Sequence, residues 1–141
     1  MTPDQKALVK TTWSLVVPIA DTAASLFYGR LFEIDPSTRP MFESTDMPEQ
    51  RKKLMQALAT VIGGLDNLAP LIPVLETLGR KHVAYGVLDK HYDSVGTALL
   101  WTLEQGLQTA WTPPVQDAWI AAYTAVAGVM RNAAKAVPNA A

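Results

Sequence analysis

Ten prolines divide this sequence into segments, and most of the segments carry apolar residues three or four positions apart. That spacing places the apolar residues on one face of a helix, whereas a half-buried strand alternates apolar and polar residues. No segment shows such alternation. Because proline begins a helix more readily than it continues one, each segment predicts a separate helix. The sequence therefore predicts an all-α domain of six to eight helices. The breaks at residues 36–40 and 67–73 argue against a simple four-helix bundle.

Local signals indicate where several of these helices begin and end. Thr2 precedes Pro3 and stands three positions before Gln5, which predicts a capping box at the first helix. Asp46 and Thr112 occupy the corresponding positions before later proline-led helices. Gly86 is expected to end the helix that carries His82.

Composition excludes several classes of function. The 141 residues are expected to form one domain, 1–141, and the absence of cysteine excludes thiol catalysis, iron–sulfur clusters and cysteine-based zinc sites. Twelve basic and thirteen acidic residues predict no nucleic-acid partner. The longest uncharged stretches, 54–65 and 118–130, are shorter than the roughly 20 residues of a membrane helix. With no secretory signal at the amino terminus, we expect a cytoplasmic protein without a membrane partner.

The chain has only two histidines, His82 and His91, which limits its metal chemistry. Neither follows an acidic residue by three positions, so a dinuclear carboxylate site is excluded. No phosphate-binding glycine loop or Gly-x-Ser-x-Gly motif occurs. One imidazole beside an apolar interior is typical of haem, which needs a single axial nitrogen. Taken alone, however, His82 is most simply explained as a cation at a helix end.

Other candidate residues also have ordinary explanations when considered singly. Tyr28 and Phe42 are explained as packing aromatics, and Gln50 as a residue of a first helical turn. Their joint order is more specific. Trp13, Phe27-Tyr28, Pro36, Phe42, Gln50, Leu54 and Leu78-Gly79-Arg80-Lys81-His82 follow one another as in the globin family, which the chain resembles over essentially its whole length. The segment from Gly86 to Gly96 is similar to the bacterial branch related to flavohaemoglobins. Leu-Gly-Arg-x-His and Lys-Leu-Met-Gln resemble the Hell's Gate-type globins.

The resemblance implies a globin fold around a haem pocket and a role for each matching residue. His82 is the implied iron ligand of haem b. The implied haem contacts are Phe42, Lys53, Leu54, Leu78, Val87, Tyr92 and Val95, with Lys53 near a propionate. Tyr28 and Gln50, here called the distal pair, replace the distal histidine of many globins and lie with Leu54 on the ligand side. His91 lies on the proximal side, so two histidines are not expected to ligate iron together.

The implied function is binding of O₂, and of CO and NO, with high O₂ affinity and slow O₂ release. Such a protein suits O₂ scavenging, storage or NO detoxification. The alternative is a nitric oxide dioxygenase with an external reductase, because the chain ends where a flavin reductase would begin; whether the protein is an enzyme is left open. Tyr92 matches a tyrosine of flavohaemoglobins, but Ala134 stands where that family has a glutamate. A gas sensor and a haem-free helical module are less favoured alternatives.

Overall fold

The computed structural model describes residues 1–137 and shows six α-helices, with no strand in that part of the chain. The helices are α1 (Pro3–Val16), α2 (Ala20–Ile34), α3 (Met47–Gly63), α4 (Ile72–Ala84), α5 (Asp89–Leu107) and α6 (Pro113–Lys135). Short 3₁₀ segments occupy Val17–Ile19, Pro36–Phe42, Ala69–Leu71 and Gln108–Ala110. The prediction of an all-α fold with six to eight helices is confirmed. The last four residues of the predicted domain lie outside the described residues.

Two of the three N-caps predicted from the sequence form a capping hydrogen bond. The Thr2 hydroxyl accepts a hydrogen bond from the Gln5 amide at 3.1 Å, and the Gln5 side chain accepts one from the Thr2 amide at 3.0 Å, which is the predicted capping box. Asp46 caps α3 by accepting a bond from the Glu49 amide. Thr112 holds the N-cap position of α6, but its side chain makes no capping bond.

Gly86 ends α4 as predicted, with a φ of +91° that a side chain rarely tolerates. The Val87 amide donates to the His82 carbonyl and the Gly86 amide to the Val83 carbonyl, both at 3.0 Å. This pair of bonds is a Schellman motif. It turns the chain immediately after the turn that carries His82.

The core joins α1 and α6 on one side and α2 and α5 on the other. Trp13 and Trp119 pack with ring centroids 6.4 Å apart, and the indole of Trp119 donates to the buried hydroxyl of Thr12 at 2.9 Å. Helix α3 packs on α2, while α4 packs on α6. Helices α2 and α3 thus lie opposite α4, α5 and α6, and the cavity described below lies between them.

Residues Pro3–Ile34 are long and apolar enough to pass a length-and-hydropathy test for a membrane span. The stretch is interrupted by the 3₁₀ segment at Val17–Ile19, and Val9, Trp13, Phe27 and Leu31 within it are buried in the core. One such stretch near the amino terminus is weak evidence for a span. Other apolar residues of the stretch, Leu15, Val17 and Ile19 among them, are exposed.

Candidate functional site

The candidate residues surround one cavity of about 530 Å³ between the helices. That volume lies within the range of roughly 300–1,000 Å³ typical of small-molecule and cofactor sites. Every residue that the sequence placed at the site lines this cavity: Tyr28, Phe42, Gln50, Lys53, Leu54, Leu78, His82, Val87, Tyr92 and Val95. The tertiary structure therefore brings together positions from four helices and two connecting segments.

The distal pair forms a direct hydrogen bond inside the cavity. Tyr28 on α2 is buried, and the side-chain amide of Gln50, in the first turn of α3, donates to the Tyr28 phenol oxygen at 3.1 Å. Burial raises the pKa of Tyr28 above its ordinary value, and the bond from Gln50 partly opposes that rise. Because the amide donates, the phenol keeps its own proton free to donate to a further acceptor.

An aromatic cluster holds the Tyr28 ring in place. The ring centroid of Tyr28 lies 5.0 Å from that of Phe27 and 5.4 Å from that of Phe42, both with edge-to-face geometry. Phe32 packs 5.7 Å from Phe42 and completes the group. Aromatic pairs at these separations are favourable beyond the area they bury. The orientation of the phenol is thus set by packing as well as by Gln50.

His82 is half-buried in the last turn of α4 and forms one hydrogen bond, from Nδ1 to the Leu78 carbonyl at 2.6 Å. A backbone carbonyl only accepts, so Nδ1 carries the proton. In a neutral imidazole this leaves Nε2 with its lone pair free. A histidine fixed in this tautomer by a carbonyl is arranged as a metal ligand usually is.

His91 is buried and lines the cavity, but both of its nitrogens are engaged. Nδ1 accepts from the Leu88 amide at 2.8 Å, and Nε2 lies 2.9 Å from the Ser37 hydroxyl. These bonds hold the ring between the 3₁₀ segment and the start of α5. That His82 and His91 do not ligate iron together stays a prediction. No group of three or more histidine and acidic side chains suited to a metal ion occurs within residues 1–137.

A carboxylate beside His91 connects the end of α2 to α5. Asp35 accepts hydrogen bonds from the hydroxyls of Ser37 and Ser94, the latter at 2.7 Å. These two bonds, led by that of Ser37, hold the pKa of Asp35 below its usual value. The network fixes the 3₁₀ segment that carries Phe42 against the helix that carries Tyr92.

The proximal wall is completed by α5 and α6. The Tyr123 hydroxyl donates to the Tyr92 carbonyl at 2.6 Å, and the absence of a side chain at Gly96 makes room for the Tyr123 ring. The Tyr92 hydroxyl is buried without a hydrogen-bond partner within the described chain. The cavity-lining residues of α6 are Tyr123, Val126, Ala127 and Met130, none of them acidic.

Lysine side chains near the cavity differ in their partners. Lys53 is exposed, lines the cavity and forms no ion pair within residues 1–137, whereas its neighbour Lys52 lies 3.5 Å from Glu49. Arg80 and Lys81 are exposed as well. Lys53 is therefore the cation available to an anionic group at this edge of the cavity.

Sequence reasoning missed about half of the lining. The residues it did not assign to the cavity are Phe27, Leu31, Thr38, Met41, Thr45, Ala57, Tyr85, His91, Tyr123, Val126, Ala127 and Met130. In the sequence of α6, Tyr123, Val126 and Met130 recur three and four positions apart, a spacing that predicts one buried face. Periodicity identifies such a face but does not distinguish packing against another helix from lining a cavity.

Comparison with known proteins agrees with this geometry. The Globin family model matches residues 25–130, most of the chain. A flavohaemoprotein of Vibrio cholerae is 32% identical over 92% of this chain, and one of Bacillus subtilis is 31% identical over 85%. The chain spans about a third of the length of these relatives.

Two further proteins are similar over most of their own length. A neuroglobin of Chaenocephalus aceratus is 30% identical over 89% of this chain and 87% of its own. The structure of a bacterial globin from Campylobacter jejuni superposes with a TM-score of 0.83, at 24% identity over 95% of this chain and 96% of that one, which supports the fold. The chain therefore belongs to the globin family and is related to the flavohaemoproteins.

Proposed function

We propose that this globin holds haem b through His82, binds O₂ with high affinity and releases it slowly, for O₂ scavenging, storage or NO detoxification in the cytoplasm. The observation that supports the proposal is the hydrogen bond from Gln50 to the Tyr28 phenol oxygen in the cavity that His82 also lines. It leaves a phenolic proton for a bound ligand. CO and NO are expected to enter the same site.

The residues around the cavity fit haem. His82 offers one unprotonated nitrogen, which is the donor that haem iron needs from the protein. Phe42, Leu78, Val87 and Val95 supply an apolar lining for a porphyrin. Lys53 is placed to pair with a propionate.

Haem iron, when bound, supplies reversible O₂ binding in which the ligand gains partial negative charge. The Tyr28 hydroxyl would donate a hydrogen bond to this negatively charged ligand. Gln50 orients and polarises the phenol through its own hydrogen bond to the phenol oxygen. A hydrogen bond to a charged group contributes about 1.5–3 kcal/mol, which corresponds to a slowing of release by roughly one to two orders of magnitude. CO gains less because it carries less charge.

The hydrogen bond from His82 to the Leu78 carbonyl favours reversible binding of O₂ over its cleavage. The Nδ1 proton of His82 goes to a neutral carbonyl, and no carboxylate on α6 lines the cavity within the described residues. A carboxylate acceptor would make the imidazole more electron-donating and would favour breaking the O–O bond. The Leu78 carbonyl makes the imidazole a weaker donor than that.

Absorption spectroscopy of the haemin-loaded protein tests the proposal. We expect a five-coordinate spectrum after reduction under argon, and a persistent oxygenated spectrum after air is admitted. His82→Ala should not assemble a stable complex, and imidazole added to that variant should restore part of the spectrum. A normal five-coordinate complex in His82→Ala would contradict the assignment of His82.

A second candidate function is nitric oxide dioxygenase activity with an external reductase. The similarity to flavohaemoproteins favours it, and the distal pair that retains O₂ would serve it equally well. Conversion of NO and O₂ to nitrate takes up one electron for each nitrate formed, so turnover would require an external electron donor. Catalytic NO consumption with stoichiometric nitrate, in the presence of a reductase, would support this function; a single turnover followed by arrest would favour the binding protein.

A further inference from the structure

Gly79 is buried where α4 meets the backbone of α6. A Cβ atom placed on Gly79 would lie 2.3 Å from the carbonyl oxygen of Met130 and 2.9 Å from both its Cα and its carbonyl carbon. These are backbone atoms, which cannot move aside by a change of rotamer. Only glycine therefore allows the two helices to approach this closely.

The contact lies in the same part of α4 as His82. Gly79 precedes His82 by three residues, so the two are neighbours on the helix surface. Leu78, directly before Gly79, supplies the carbonyl that fixes the His82 tautomer. On the other helix, Met130 both contacts Gly79 and lines the cavity. A backbone contact thus sets how deeply this turn of α4 sits against the cavity wall.

We propose that Gly79 is a positioning residue for His82: its missing side chain sets the depth of α4 against α6, and so the distance and tilt at which the imidazole meets the haem iron. The inference rests on the proposed role of His82 as the iron ligand. On this proposal Gly79, which has no functional group, partly controls how the haem is retained and ligated.

The size of the expected displacement follows from the contact. A Cβ at 2.3 Å must retreat to an ordinary separation of at least 3.4 Å from the Met130 oxygen, a shift of about 1 Å. Metal–ligand distances are defined to about ±0.2 Å. A movement of this size is therefore large on the scale of an iron–nitrogen bond, although it is small on the scale of the fold.

The chain offers a matched control on the partner helix. Gly128 lies in α6, two residues before Met130, and a Cβ placed there meets no atom within 4 Å. Alanine at Gly128 should stabilise the helix slightly, since glycine is a poor helix former. Gly128→Ala and Gly79→Ala add the same methyl group at positions close to the same interface, but only the second displaces α4.

The first measurement compares these variants after loading with haemin and reduction. We expect Gly79→Ala to lower the iron–imidazole stretching frequency seen by resonance Raman spectroscopy and to speed haem transfer to excess apomyoglobin at least tenfold. Gly128→Ala should leave both unchanged. An unchanged frequency in Gly79→Ala would overturn the proposal. Altered tryptophan fluorescence in Gly79→Ala would overturn it too, since it would show that the fold as a whole is disturbed. A movement confined to α4 leaves the contact between Trp13 and Trp119 intact.

The second measurement asks whether the effect passes through His82. In His82→Gly, free imidazole serves as the iron ligand and is no longer tethered to α4. We expect Gly79→Ala to cause no frequency shift in this imidazole-loaded background, and the same shift in both backgrounds would overturn the positioning role. A His82→Gly protein that shows the native five-coordinate spectrum without imidazole would instead refute the assignment of His82, which separates the two failures.

Discussion

The side-chain amide of Gln50 donates a 3.1 Å hydrogen bond to the phenol oxygen of Tyr28, so the two residues act as a chain and not as two independent donors. The phenol is held between this amide and the rings of Phe27 and Phe42. Because its oxygen accepts from Gln50, its proton is left for the ligand. This order of donors predicts how variants of the pair will differ.

Tyr28→Phe should raise the O₂ dissociation rate at least about tenfold, because one hydrogen bond to a charged acceptor is lost. The CO dissociation rate should change much less. Stopped-flow ligand replacement measures both. An unchanged rate in Tyr28→Phe would mean that the phenol does not contact the ligand.

Gln50→Leu should also speed O₂ release, but by acting through Tyr28. In the Tyr28→Phe background the same substitution should have little further effect, since the phenol that Gln50 orients is gone. A double-mutant cycle on the O₂ dissociation rate measures this coupling. Additive effects would show that Gln50 reaches the ligand directly, and slower release in Gln50→Leu would show that it gates exit.

The O₂ dissociation rate should stay constant from neutral pH to about pH 10, where an unperturbed tyrosine is already half ionised. Burial raises the pKa of Tyr28, so its proton remains in place across that range. The stability that comes from keeping this group neutral is present below the unfolded pKa, and it is lost as the pH rises through the folded pKa. A rise in O₂ release well below pH 10 that is absent from Tyr28→Phe would contradict the raised pKa.

Asp35→Asn should lower the free energy of unfolding by about 1.5–3 kcal/mol near neutral pH, because Ser37 and Ser94 lose a charged acceptor. The lowered pKa of Asp35 stabilises the fold above its unfolded pKa, and this contribution is lost as the pH falls through the folded pKa. The gap between wild type and variant in urea unfolding should therefore close in acid. Asp21→Asn, which removes an exposed partner of Arg51, should cost less than about 1 kcal/mol. Equal costs for the two variants would contradict a special role for the Asp35 network.

Lys53→Gln should speed haem loss about two- to fivefold, because an exposed ion pair with a propionate contributes no more than about 1 kcal/mol. Haem transfer to excess apomyoglobin at low and high salt measures the effect, which should shrink as salt screens the pair. Lys52→Gln is the control, since that neighbouring lysine is paired with Glu49. Equal rates for both variants would remove Lys53 as the propionate partner.

The sequence by itself determined the helical class and several helix ends. The Thr2 capping box, the Asp46 cap and the positive φ at Gly86 are local, since each depends on residues within a few positions of one another. The order of His82, Phe42 and the distal pair was enough to indicate the family. The three- and four-residue spacing of apolar positions likewise predicted that each helix has one apolar face.

The contacts within the site became known only from the tertiary structure, because they depend on distances between residues that are remote in sequence. Nothing local shows that Gln50 donates to Tyr28, that Asp35 collects bonds from α5, or that His91 has both nitrogens engaged. The close contact of Gly79 with the Met130 carbonyl is also invisible until α4 and α6 are packed together. The sequence supplies the side chains for a haem site. The packing of the helices determines which of these side chains remain free to contact the haem and its ligand.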